Sequence, residues 1–305
     1  MTKRTPNTRS SLILHPVSAN SHLQSHTLRA LRQVSISQPS HLIGSNIFTA
    51  CVVNGGAVAG VACFSTDHAK GLTPLGGLRP ITLAEQTTPP VGPPNTVSDI
   101  VFNPSQTALI VTVKGNGVTP GYIYAYPVSH GSISWTPVVS RPSELAIDFS
   151  ISFLGSDNKA VITDPSYGAS LVDIDDNFVF TVSKKIPIAG EAAICWSQYS
   201  ARFNTIFIMD GGVTNVTLID PETGAIKGLA VQSAAGAGSL DSKLDQTYLY
   251  VLKGAPLIGV SDVLGLNEGK LPVEIQSFDL SSLGSRQGFQ GLSIYPSCEF
   301  TLLRV

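Results

Sequence analysis

The chain has 305 residues, 43% hydrophobic and 13% charged, with a formal net charge of -2. Soluble domains average about 25% charged residues, so this surface draws its polarity mainly from Ser, Thr, Asn and Gln, and the near-neutral balance excludes nucleic acid or an anionic membrane as a bulk electrostatic partner. There is no run of 18 apolar residues to insert into a membrane, and the 28 Gly and 20 Pro are scattered as punctuation, which excludes a disordered or collagen-like chain.

From the N-terminus, residues 1–11 carry Lys3, Arg4 and Arg9 and read as a disordered basic segment, with 12–305 as a single domain. The apolar stretch Leu12-Ile13-Leu14 stops at His15-Pro16. A secretory signal needs about 7–15 apolar residues, so no signal peptide is read here. Two compartments stay open: the cytoplasm, or outside the cell for a chain lacking its leader.

Residues 10–17 and 27–36 read as strands. Residues 48–55 and 58–66 are two further strands around the turn Asn54-Gly55-Gly56, with Cys51 and Cys63 on either side. Cross-strand geometry can bring these cysteines into a disulfide in an oxidising compartment, and two buried thiols are the other reading. The Pro-rich stretch 79–95 reads as an ordered connector on the rim.

From 98 onward one pattern recurs, with starts at 98, 146, 193 and 238. Each unit has a short strand of small residues (98–102, 146–149, 193–196, 238–240) and a polar turn. A strongly apolar strand follows (108–115, 160–165, 205–211, 248–254), then a third (122–126, 169–174, 216–220, 259–263). A fourth precedes the next unit, as at 178–182 and 273–278. β-branched and aromatic residues bounded by Asn, Asp, Gly and Pro make strands, and no window reads as a helix. Four strands per unit at this period is a β-propeller blade, so the fold expected is all-β. Residues 288–294 and 299–305 supply strands at the far end. A composite blade from both termini then closes the ring and removes the edges an open ring would leave. Six blades are counted, and a seventh would have to come from 18–47.

The residue ending the second strand is Asn54, Lys114, Asp164, Asp210 and Lys253 in successive units. If equivalent, these side chains face one end of a central channel, and two ammonium groups with two carboxylates suit a small anionic ligand. Ordinary turn chemistry with solvated side chains is the competing reading. Asp99, Asp148, Cys195, Trp196, Asp241 and Gln290 lie on or beside the inner strands and are ligand-binding candidates. Asp99 and Asp148 could equally tie the blades' own turns, and Cys195-Trp196 could be core packing. Glu191 precedes an inner strand at the channel mouth. No Gly-x-Ser-x-Gly elbow, His-Glu-x-x-His or phosphate loop is present, and the six His all precede residue 131, so neither a metal site nor a cofactor is expected.

The segments Ala50-Cys51-Val52-Val53-Asn54-Gly55-Gly56 and Gly60-Val61-Ala62-Cys63-Phe64 resemble fungal 3-carboxymuconate cyclase-like proteins of the lactonase β-propeller superfamily. So do Gln86-Thr87-Thr88-Pro89-Pro90-Val91-Gly92-Pro93-Pro94, Ala193-Ile194-Cys195-Trp196-Ser197 and Gly236-Ala237-Gly238-Ser239-Leu240-Asp241. The resemblance spans about residues 45 to 295. It implies a propeller, often seven-bladed and often secreted or on the cell surface, and a metal-independent cyclase or lactonase acting on a small carboxylate or lactone. The His, Arg and Glu that such enzymes use do not map onto this chain. The expected roles are therefore charge stabilisation by Lys114 or Lys253 and proton transfer by Asp164, Asp210 or Glu191. A natural-product cyclisation is a related possibility, and the alternative is a non-catalytic secreted or surface propeller that binds ligands or host partners. A closed ring is expected to be a monomer.

Overall fold

A computed structural model describes residues 11–13, 31–36, 48–67, 69–233, 238–285, 289 and 291–295. Sheet I runs Leu31–Ile36, Phe48–Asn54, Ala59–Asp67 and Gly71–Pro74, and Arg79–Ile81 continues the outer edge. Sheet II runs Val97–Phe102, Ala108–Val113, Tyr122–Ser129 and Ser132–Ile133, its outer edge continued by Val138–Ser140. Sheet III is Ile151–Phe153, Lys159–Asp164, Gly168–Ile174 and Phe180–Pro187, and sheet IV is Ile194–Ser200, Thr205–Asp210, Val213–Ile219 and Ile226–Ala230. Sheet V is Ser239–Leu244, Tyr248–Lys253, Leu257–Asp262 and Val273–Asp279. All pairings within these sheets are antiparallel and, apart from the outer pieces Arg79–Ile81 and Val138–Ser140, join chain neighbours, as short turns require.

The ends of the chain meet. Ser11–Ile13 pairs antiparallel with Ser293–Tyr295, Leu12 opposite Ile294, as sheet VI. Inner strands follow one another around a ring, Leu31–Ile36 packing beside Val97–Phe102, Ile194–Ser200 beside Ser239–Leu244, and the latter beside Ser293–Tyr295. The fold is a β-propeller. Among the described residues there is no α-helix, only the 3-10 turns Leu264–Glu268 and Ser281–Leu283.

The core is radial, and the second strands show why they are apolar without interruption. In 108–113, Leu109, Val111 and Val113 pack towards sheet I, while Ala108 and Ile110 pack towards sheet III. Phe207 and Met209 likewise face sheet V, and Ile206 and Ile208 face sheet III. A strand buried on both faces loses the polar alternation of a half-exposed one. Cys51 and Cys63 lie directly opposite in sheet I, buried and joined by a disulfide.

Two assignments differ from the sequence reading. Strand 31–36 belongs to sheet I as its inner strand, not to the composite blade, because it pairs with the apolar strand Phe48–Asn54. The remainder of 18–47 lies largely outside the described residues, as do 1–10 and 296–305. The inner strand of sheet III starts at Ile151 rather than 146. Asp148 sits in the approach to it, although Phe149 and Ser150 already bond Thr163 across the strands.

Candidate functional site

Equivalence between blades is fixed by register. Asp99 N–H donates to Thr112 Oγ1 at 3.0 Å, and Ser150 N–H to Thr163 Oγ1 at 2.9 Å. Trp196 pairs with Met209 and Asp241 with Leu252. Thr112, Thr163, Met209 and Leu252 therefore share a step, and the next residues are Val113, Asp164, Asp210 and Lys253. In sheet I the same step is Asn54. Lys114 lies one residue beyond, so the sequence alignment placed it one position out of register. On a strand one residue reverses the face.

At this step the side chains close loops. Asp164 accepts Ile147 N–H at 2.8 Å on one oxygen and Ser166 N–H and hydroxyl at 2.9 and 2.6 Å on the other. Asp210 accepts from Ala192, Ala193 and Gly212 N–H, each at 2.8 Å, and from Val213 at 3.2 Å. Each carboxylate staples the approach to its own inner strand onto the turn after its second strand. Lys253 is fully buried and turns outward, donating to Glu274 Oε1 at 2.7 Å and Ser233 Oγ at 2.9 Å. Asn54 Oδ1 is buried without a hydrogen-bond partner.

Lys114 donates to Val97 O at 3.2 Å and lies 4.4 Å over the Phe149 ring. Near it Asp148 has no exposure, and neither of its oxygens has a hydrogen-bond partner of good geometry. Its carboxyl stands against Gly121, where a Cβ would fall 1.5 Å from Oδ1, so glycine is required there. Burial first, then the Asp164 charge, pushes Asp148 well above the usual carboxylate range, and Lys114 opposes this. Glu191, half-buried, is raised by burial and by Asp210 and Asp164, and its Oε2 has no partner. Cys195 donates to Ala193 O at 3.1 Å, and burial pushes its thiol up to about 11, which makes it a poor nucleophile. Trp196 meets Phe149 edge-to-face at 5.3 Å. Lys114, Asp148, Asp164, Glu191, Asp210 and Cys195 thus share one electrostatic neighbourhood.

A second group lies further along the inner strands. Asp99 accepts Ile100 N–H at 2.7 Å and Ile151 N–H of the next blade at 3.0 Å. Asp241 repeats this with Ser242 at 2.7 Å and Leu292 at 2.8 Å. Lys243, absent from the sequence candidates, sits 3.6 Å from Asp241 with its side chain 40% exposed. Asp99, three blades away around the ring, is pushed up to about 6 by burial and also feels the charges of Lys243 and Asp241. These three groups therefore influence one another electrostatically. Only an inner-strand position next but one to an Asp marked Lys243 in the sequence, and the repeat alignment stopped at 240. Gln290 lies outside the described residues. Among the described residues no three His, Cys, Asp or Glu converge as a metal would need, and no helix is long and apolar enough to cross a membrane.

No family model matches the chain, and no curated protein does. Solved structures do resemble it. A Bacteroides fragilis protein provisionally named 6-phosphogluconolactonase superposes with TM-score 0.57 at 14% identity, over 79% of this chain and 69% of that one. A functionally unknown Desulfotomaculum acetoxidans protein gives TM-score 0.58 at 11%, over 80% and 70%. Saccharomyces cerevisiae Sqt1 gives 0.56 at 11%, over 85% and 63%. At such identities the likeness establishes the fold alone.

Proposed function

We propose that the protein is a lactonase- or cyclase-like propeller that takes a small carboxylate or lactone in its channel. Lys243 carries the reading: it is a partly exposed ammonium on an inner strand, 3.6 Å from Asp241, and its charge is felt at Asp99. An accessible cation among carboxyls of unlike proton affinity can hold an anionic substrate while one acid moves a proton. Glu191, half-buried, with a proton affinity raised by burial and by the charges of Asp210 and Asp164, is the proposed acid. These groups would supply charge and proton without a metal. The 6-phosphogluconolactonase name of one similar structure agrees with a lactone substrate, and the sequence resemblance favours the carboxymuconate cyclase-like branch and a natural-product cyclisation. Asp164, Asp210 and Lys253 enter this reading as supports, since their polar atoms are committed within the fold.

The test is a thermal-shift and turnover screen with muconates and small lactones on wild type, Lys243→Met and Glu191→Gln. We expect a compound that stabilises wild type but not Lys243→Met, and turnover lost in Glu191→Gln with binding kept. Equal stabilisation of all three proteins overturns the reading. A second reading, a secreted or surface binding propeller, is favoured by the Cys51–Cys63 disulfide, which persists in oxidising compartments. Binding without turnover of any compound selects it.

A further inference from the structure

The turn after the second strand of sheet II, residues 114–121, packs on residues 145–148, the approach to the inner strand of sheet III. Backbone makes this joint, Gly121 N–H donating to Leu145 O at 2.9 Å. A Cβ on Gly115 would fall 2.2 Å from Ala146 O, so the two segments approach as closely as glycine allows. The tip of the turn, 116–119, is exposed, Val118 at 92%.

Asp148 is wedged into the joint with no exposure. Asp164 and Asp210 each collect several N–H donors, as ionised oxygens need. Neither oxygen of Asp148 has a well-formed bond. Its Oδ1 confronts a carbonyl instead: the Cβ position of Gly121 lies 1.5 Å from Oδ1 and 2.6 Å from Val113 O. Two bare acceptors repel, whereas a protonated carboxyl can donate to the carbonyl. The ionisable groups around it are Lys114 and Tyr122 from sheet II, and Asp164 and Tyr167 from sheet III. Burial keeps both phenols neutral. Burial and the Asp164 charge favour the proton on Asp148, against Lys114 and the N–H groups of Gly115 and Asp148 itself.

We propose that Asp148 is a proton-operated latch between sheets II and III. With its proton on, it donates to Val113 O and keeps the 114–121 turn docked. When the proton leaves for solvent, the turn comes away from 145–148 and takes Lys114 from over the Phe149 ring. Glu191 approaches its own inner strand at the same end of the ring and feels Asp164 as Asp148 does. Opening therefore changes access to the channel, a consequence that rests on the function proposed above, whereas the latch is read without substrate.

The experiment is hydrogen exchange of the full chain, corrected for intrinsic rates, on wild type, Asp148→Asn and Lys114→Met. Over about pH 5 to 9, each pH unit should favour opening about tenfold until the closed form also ionises, because the open carboxyl has an ordinary value of about 4. Protection of the Gly121 and Ile147 amides should fall on that slope, while the amides of strand Tyr248–Lys253 hold. Asp148→Asn, whose amide donates to Val113 O at any pH, should be flat. Lys114→Met loses an opposing charge and should carry the slope to higher pH. Infrared difference spectra, wild type minus Asp148→Asn, should show a protonated carboxyl at neutral pH. Wild-type protection independent of pH overturns the latch, as does a slope retained in Asp148→Asn or a missing carboxyl band. Should Asp148→Asn fail to fold, the wild-type slope and its extension in Lys114→Met decide. Failure of every compound to bind would touch the proposed function and leave the latch standing.

Discussion

Asp99 of sheet II reaches out of its own blade to accept the N–H of Ile151 in sheet III at 3.0 Å, while its other oxygen holds Ile100 at 2.7 Å. Asp241 does the same between sheet V and the strand at Leu292. The two residues share one step of the repeat, so the bond is a recurring clasp between blades. Thr112 and Thr163 reinforce it, donating to Phe149 O at 2.7 Å and Cys195 O at 2.6 Å in the next blade.

Replacing Asp99 by Ala strands two buried N–H groups, which costs about 2–4 kcal/mol. Asp241→Ala should cost somewhat less, because Asp241 is more exposed. A double-mutant cycle in urea denaturation should show coupling between the two losses, since Asp99 feels the charge of Asp241 and of Lys243, the ion-pair partner of Asp241.

Asp99 also makes stability depend on pH. Its folded value of about 6 lies above the ordinary 3.8 because burial disfavours the charge. Below about 4 the carboxyl is protonated in both folded and unfolded chains. Between about 4 and about 6 only the folded chain holds the proton, so its contribution falls as pH rises and is flat above. The loss is on the order of 2–3 kcal/mol. Asp148 and Glu191 shift in the same direction, so the check is the difference in denaturation profile between wild type and Asp99→Asn.

Lys253 and Glu274 form an ion pair whose side chains are 0% and 9% exposed. Lys253→Met alone leaves a covered carboxylate unpaired and should cost about 3–5 kcal/mol. Lys253→Met with Glu274→Leu should recover much of that loss. A double-mutant cycle by chemical denaturation measures the coupling.

The Cys51–Cys63 bond closes a loop with a sequence separation of 12 residues. Removing it as Cys51→Ala/Cys63→Ala should lower stability by about 3 kcal/mol through the freed unfolded chain. Mass spectrometry with and without reductant verifies the bond, and denaturation reads the cost.

In a Cys298→Ser background, Cys195 should resist a thiol reagent at neutral pH until the protein unfolds. Its raised thiol value leaves almost no thiolate. Reaction rates in native and denaturing buffer decide this.

Much of the fold was legible because a propeller repeats. The unbroken apolar runs of the second strands, such as 108–113 and 205–210, can only be buried on both faces, and their spacing sets the blade. The opposed pair Cys51 and Cys63 followed from a strand, a tight turn and a strand. The pairing of Ser11–Ile13 with the far end followed from the need to close a ring. Strand 31–36 escaped its correct sheet because no equivalent sequence preceded it for comparison.

The residue types alone thus determined an all-β ring and the places where charge gathers. Tertiary structure alone decided what each charge does. The strand register puts Val113, not Lys114, at the step of Asp164 and Asp210. Neighbouring backbone N–H groups claimed those two carboxylates, and Glu274, from the outer strand of the same sheet, claimed Lys253. Lys243, by contrast, was left partly exposed beside Asp241. Periodicity is a property of the chain, whereas the partner of a buried charge is whichever group packing brings near in a low-dielectric interior.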